Sequence, residues 1–147
     1  MSKSNQIIDN LTSTMKIDPE RYSPITSTNR LNSLSFALAG WLYMLRRQKN
    51  TRIQGVASIA SLLLALWLQI DFVGLAIIIL AITMVWMAEF VNAAVEAAIN
   101  IAAPEIHPMA KVGKDVASAA VLLGVIASVI VGLLIMGPPL LEKLFGA

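Results

Sequence analysis

The sequence predicts an all-α membrane protein, built as a polar tail, an interfacial amphipathic helix and three transmembrane helices, and three observations predict it. Of 147 residues, 57% are hydrophobic and only 14% are charged, where a soluble domain carries about 25% charged residues. The stretches 53–70, 72–88 and 116–141 contain no Asp, Glu, Lys or Arg. Eight of the eleven Lys and Arg precede the first stretch, and two more separate the second from the third. Cysteine is absent, which excludes disulfide scaffolds, zinc fingers, iron–sulfur sites and thiol catalysis. The formal net charge of +2 follows membrane topology rather than a soluble basic face, so no nucleic-acid partner is expected.

Residues 1–28 are polar, rich in Ser, Thr and Asn, and interrupted by Pro19 and Pro24; without apolar periodicity they read as a flexible tail. A secretory signal would place its apolar run near the start, so the first membrane segment is expected to stay in the mature chain. Over 30–48, Leu31, Leu34, Leu38, Trp41, Leu42 and Leu45 recur at helical spacing, and Arg46 and Arg47 close the stretch. Aromatic rings and basic side chains favour the headgroup level, so this helix is expected to lie in the interface; an ordinary core helix is the alternative.

The spans are expected over 53–70, 72–103 and 115–137. At about 1.5 Å per residue, the uncharged runs 53–70 and 72–88 reach roughly 25 to 27 Å, close to the hydrocarbon thickness. Asp71 and Phe72 to Gly74 are expected to turn the chain between the first two spans, and Gly137, Pro138 and Pro139 to end the third. The positive-inside rule puts the N-terminus and the loop carrying Lys111 and Lys114 in the cytoplasm, with Asp71 and the C-terminus outward.

A helix over 72–103 is roughly 48 Å long, so its last third emerges on the cytoplasmic side. In that third Glu89, Asn92, Glu96 and Asn100 follow one another at spacings of three, four and four, which confines them to an arc of about 80° on an apolar cylinder. Ionisable residues beside lipid are costly and usually face a protein interior or a water-filled site; solvated headgroup-level glutamates are the bland alternative. Lys111, Lys114 and Asp115 follow in the next loop, at a helix start that would suit a phosphate and its metal, or would serve topology alone. Gly113-Lys114 is followed by Asp115, so the chain has no Walker A loop there. The single histidine, His107, reads as a loop residue.

Glu89-Phe-Val-Asn92-Ala-Ala-Val-Glu96, followed by Lys114-Asp115-Val-Ala-Ser-Ala-Ala-Val-Leu, resembles the signature of the prokaryotic diacylglycerol kinase and undecaprenol kinase family, and Ser35-Phe-Ala-Leu-Ala-Gly40 and Asn50-Thr-Arg52-Ile-Gln54 fit it in the same register. The resemblance covers about residues 30–137. It implies a lipid kinase domain over 29–147, a homotrimer in the bacterial inner membrane, and active sites between subunits at the cytoplasmic face. It implies transfer of the ATP γ-phosphate, with magnesium, to the primary hydroxyl of a membrane lipid, diacylglycerol or, in the alternative, undecaprenol.

Carried over by position, the resemblance makes Glu89 the general base and Glu96 a metal ligand. Asn92, Asn100, Lys114 and Asp115 become nucleotide-binding residues, and Arg52 and Gln54 support the lipid site. Gln48 stands where the family commonly has a second metal-binding glutamate, and Asn100 where it has an aspartate; an amide oxygen can coordinate magnesium but brings no charge. These departures motivate a competing reading, a non-catalytic membrane scaffold of the same fold. An ion conductor would need polar residues near the bilayer centre, and the stretches 56–68 and 116–136 offer only Ser58, Ser61, Ser118 and Ser128. Small residues at helical spacing over 117–132 suit close helix packing and an oligomer.

Overall fold

The computed structural model describes residues 30–103, 105 and 107–146; the tail expected over 1–28 lies outside the described residues. These form four helices: α1 (Arg30–Arg47), α2 (Lys49–Trp67), α3 (Phe72–Ala102) and α4 (Pro108–Phe145). Among the described residues there is no strand. They belong to two units that meet in sequence inside α1, one ending at Leu42 and the other beginning at Tyr43. In the first, every described residue is exposed, Leu31, Leu34 and Leu38 included.

The second unit opens with the last turn of α1, where Met44 is buried. The Gln48 N–H donates to the Met44 carbonyl at 3.0 Å, and its extended backbone makes it the N-cap of α2, with no capping bond from its side chain. The polar start of α2 carries Lys49, Asn50, Arg52 and Gln54, whereas α3 and α4 are the two described helices long and apolar enough to cross a membrane. α3 is common to both packing interfaces, touching α4 extensively and α2 less so.

The turn between α2 and α3 falls at Leu68–Asp71, earlier than the expected Asp71 to Gly74, because two devices set the helix ends. Gln69 adopts φ 56°, its N–H bonds to the Leu66 carbonyl and that of Ile70 to the Ala65 carbonyl, both at 3.0 Å. This is a Schellman stop with glutamine at the left-handed position usually held by glycine. Asp71 then caps α3, its Oδ1 accepting from the Gly74 N–H at 3.1 Å. Gly74 is required there: a Cβ would lie 2.7 Å from Ile70 Cγ2 and 2.9 Å from Asp71 Oδ1.

α4 departs from expectation at both ends. It begins at Pro108, whose missing N–H costs nothing in a first turn, and His107 caps it, Nδ1 accepting from the Met109 N–H at 3.2 Å. The helix does not stop at Gly137-Pro138-Pro139 but continues to Phe145, where Gly146 closes it at φ 67°. The residue before a proline is normally pushed out of helical conformation by a clash that includes its Cβ; ahead of Pro138 stands Gly137, which has none. Lys143 secures the continuation, Nζ donating to the Trp67 carbonyl at 2.7 Å and lying 4.3 Å from that residue's ring centroid. Higher up, Ser128 Oγ donates to the Ala81 carbonyl of α3 at 3.0 Å. No residue of α4 is buried.

Candidate functional site

The buried residues of α3 are Gly74, Ile78, Val85 and Glu89, spaced so that one helical face carries all four. Glu89, 6% exposed, therefore continues the packing face that holds Ile78 and Val85. Asn92 and Glu96, one and two turns on, are half-buried. Across from this face, the start of α2 presents its own polar residues: Thr51 is fully buried, and Asn50 and Gln54 share a cavity of about 580 Å³ with Glu89.

That cavity is polar at one end and apolar along its length. Glu89, Asn50 and Gln54 form the polar end, followed by Ser58 and Ser61 on α2, Ile78 and Val85 on α3, and α4 from Val121 to Leu140. The α4 stretch alone spans about 28 Å. Among the described residues, three buried side-chain polar atoms have no hydrogen-bond partner: Thr51 Oγ1, Gln54 Nε2 and Asn92 Oδ1. A buried donor or acceptor left unpaired is costly, and such groups mark places where a ligand, ion or water completes the set.

A second cavity, about 610 Å³, lies at the other end of the polar stripe, where α3 gives way to α4. Asn100 lines it from α3, Glu105 and His107 from the connection, and Lys111, Lys114 and Asp115 from the first two turns of α4. Lys114 Nζ donates to Asn100 Oδ1 at 2.6 Å, and Lys111 pairs with Asp115 one turn on. Residues four apart share a helix face and adjacent ones do not, so it is Lys111 rather than Lys114 that meets Asp115. Lys111 and Lys114 place two ammonium groups beside the N-terminus of a long helix, with Asp115 and Glu105 on the same lining; Lys114, held by a neutral amide, and the helix end are what would meet polyphosphate.

The structure thus sorts the residues singled out in the sequence. Glu89 and Gln54 share the first cavity; Asn100, Lys114 and Asp115 share the second. Asn92 and Glu96 stand on α3 between them. Gln48 is half-buried where α1 meets α2, and Arg52 is exposed. Among the described residues no three His, Asp or Glu side chains group as a metal cluster. Sequence reasoning missed Asn50, Thr51 and Ser58 as part of the site. Asn50, Gln54, Ser58 and Ser61 recur at spacings of four, four and three, the same polar-stripe signal that singled out Glu89 on the next helix.

Comparison with known proteins bears on what this arrangement is for. Residues 35–136 match the family model described as prokaryotic diacylglycerol kinase. The chain is 36% identical over 115 residues to a diacylglycerol kinase of Synechocystis sp., covering 78% of this chain and 66% of that one. It is 34% identical over 79 residues to a diacylglycerol kinase of Escherichia coli, covering 54% and 65%. It is 32% identical over 95 residues to an undecaprenol kinase of Bacillus subtilis, covering 65% and 77%. The matches span just under two thirds of the length of the first two relatives.

Proposed function

Since the chain belongs to the prokaryotic diacylglycerol kinase family, we propose that it is an integral-membrane lipid kinase that transfers the γ-phosphoryl group of ATP to the primary hydroxyl of diacylglycerol, giving phosphatidate. The observation that carries this reading is the buried carboxylate of Glu89 at the polar end of a long apolar cavity, beside the unpartnered Gln54 Nε2. A lipid has that same polarity profile: a hydroxyl headgroup on an acyl chain. The cavity with Lys111 and Lys114 stands further along the same polar face of α3, where a nucleotide would arrive from the cytoplasm.

In this reading the lipid hydroxyl enters between Gln54 and Glu89. Glu89 accepts the hydroxyl proton as the oxygen attacks the γ-phosphorus and the bond to the ADP oxygen breaks; the proton then passes to water. Gln54 Nε2 donates to a lipid oxygen and so fixes the hydroxyl for attack. Lys114 offsets charge on the departing polyphosphate, and Asn100 holds its ammonium in place. Asp115 does the same for Lys111.

The residues present suit magnesium. Glu96 and the orphaned Asn92 Oδ1 stand one turn apart on α3, and magnesium keeps several waters and needs few protein ligands. Gln48 would add an amide oxygen without charge. When bound, the ion would neutralise phosphate charge, and dependence on added magnesium is expected.

The basic residues towards the N-terminus and in the first two turns of α4 favour a cytoplasmic placement of both, with the C-terminus outward. The unburied α4 supports a homo-oligomer, a trimer by family. The test is ATP-dependent phosphate transfer by the purified protein in vesicles offered diacylglycerol and undecaprenol separately, with and without magnesium. Phosphatidate formation is the expected result. Transfer to undecaprenol alone would move the acceptor to the other branch, whose Bacillus subtilis member is similar over more of its length. No transfer to either lipid from a folded oligomer would leave a non-catalytic scaffold.

A further inference from the structure

We propose that Trp86, acting through Ser58, is a positioning residue for the transfer, holding α2 against α3 at the spacing that brings Gln54 and Glu89 into one cavity. The proposal rests on the kinase reading above. Trp86 Nε1 donates to Ser58 Oγ at 3.1 Å, and Ser58 Oγ donates in turn to the Gln54 carbonyl at 2.8 Å. One hydroxyl therefore receives a bond from α3 and passes one to the backbone of the residue on α2 that faces the site. Both hydroxyl functions and the indole N–H are satisfied inside an apolar setting, where a chain of hydrogen bonds is strengthened by its low dielectric.

The register gives the chain its consequence. α2 and α3 form a hairpin, so moving four residues back along α2 from Ser58 and three forward along α3 from Trp86 travels the same way, by about 6 and 4.5 Å. Those steps arrive at Gln54 and Glu89. The clamp is thus one helical turn deeper in the hairpin than the pair it serves. Gly55 admits the indole: a Cβ there would stand 3.8 Å from Trp86 Cζ2, in ordinary contact, but a longer side chain would meet the ring. On its other side the indole meets Phe90, with ring centroids 6.2 Å apart. α2 has the smaller interface with α3, so its position near the site depends more on individual ties such as this one.

The test measures transfer of phosphate from ATP to diacylglycerol in vesicles for the wild type and for Trp86→Phe, Ser58→Ala, Ser58→Thr and the Trp86→Phe/Ser58→Ala double variant, with Glu89→Gln as the control on the kinase reading. The expected result is a loss of about tenfold in kcat for each of Trp86→Phe and Ser58→Ala, with KM for ATP unchanged. The double variant should be no slower than the slower single, and Ser58→Thr should recover the rate because it restores the hydroxyl. A merely structural role would not predict that pattern of shared loss and rescue. If Ser58→Ala fails to assemble, Trp86→Phe, which keeps an aromatic ring, still decides. Unchanged kcat in Trp86→Phe, losses that multiply in the double variant, or Ser58→Thr as slow as Ser58→Ala would each overturn the proposal while leaving the kinase reading intact. A wild type no faster than Glu89→Gln would remove the kinase reading and this proposal with it.

Discussion

Glu89 owes its burial to register: it stands four residues beyond Val85 on the face of α3 that also carries Gly74 and Ile78. A carboxylate there reaches the cavity between α2, α3 and α4 while the solvated alternative, a glutamate at headgroup level, would leave it exposed. Its neighbours on the stripe were legible because Glu89, Asn92, Glu96 and Asn100 keep helical period against an apolar background. On α2, Gln54 was legible only through the family resemblance, and Ser58 was not legible at all, because it falls in a run judged by its lack of charge and a hydroxyl leaves no mark on that test. The pairing of lysines was also hidden, since it depends on α4 starting at Pro108. At this scale, replacing Lys114 with Met should lower the apparent affinity for ATP and strand the Asn100 carbonyl, which ATP titration of initial rates would detect. Asp115→Asn should cost less than about 0.5 kcal/mol of stability, because its ion pair with Lys111 is well exposed; thermal melting of the detergent-solubilised protein measures it.

The helices themselves were readable from charge-free length and apolar period, and their ends were less so. Ends depend on single residues whose conformations override composition. Gln69 in the left-handed region stops α2, and Asp71 restarts the chain as α3. Prolines at 138 and 139 read as a terminator, yet the helix continues past them: Gly137 removes the Cβ clash ahead of Pro138, and Lys143 anchors the segment beyond to Trp67. Two stability predictions belong here. Gln69→Gly should stabilise the hairpin by about 0.5 to 1 kcal/mol, the relief of left-handed strain less the added freedom of the unfolded chain. Gly74→Ala should destabilise by about 1 to 2 kcal/mol, since the new methyl collides with Ile70 and the Asp71 cap. Denaturation in a fixed detergent, comparing each variant with wild type, checks both signs.

For the molecule as a whole, the notable property is how much apolar surface the single chain leaves uncovered. No residue of α4 is buried, and Leu122, Leu123, Leu133 and Leu134 are all well exposed. In a bilayer lipid tails and neighbouring copies would cover such a helix, and composition alone announced that environment. How many copies assemble was not legible, because small-residue spacing favours close packing without counting partners. Topology can be tested cleanly because the chain has no cysteine. Phe72→Cys should react with a membrane-impermeant thiol reagent on intact cells, and Glu105→Cys should react only after permeabilisation; the reverse pattern would invert the orientation. The most direct measurement of the central claim is single-turnover phosphate transfer from ATP to diacylglycerol in sealed vesicles, comparing wild type with Glu89→Gln. The account predicts phosphatidate from the wild type and a rate lower by about a hundredfold or more in Glu89→Gln, with ATP binding and the oligomer retained. Equal rates in the two proteins would contradict it.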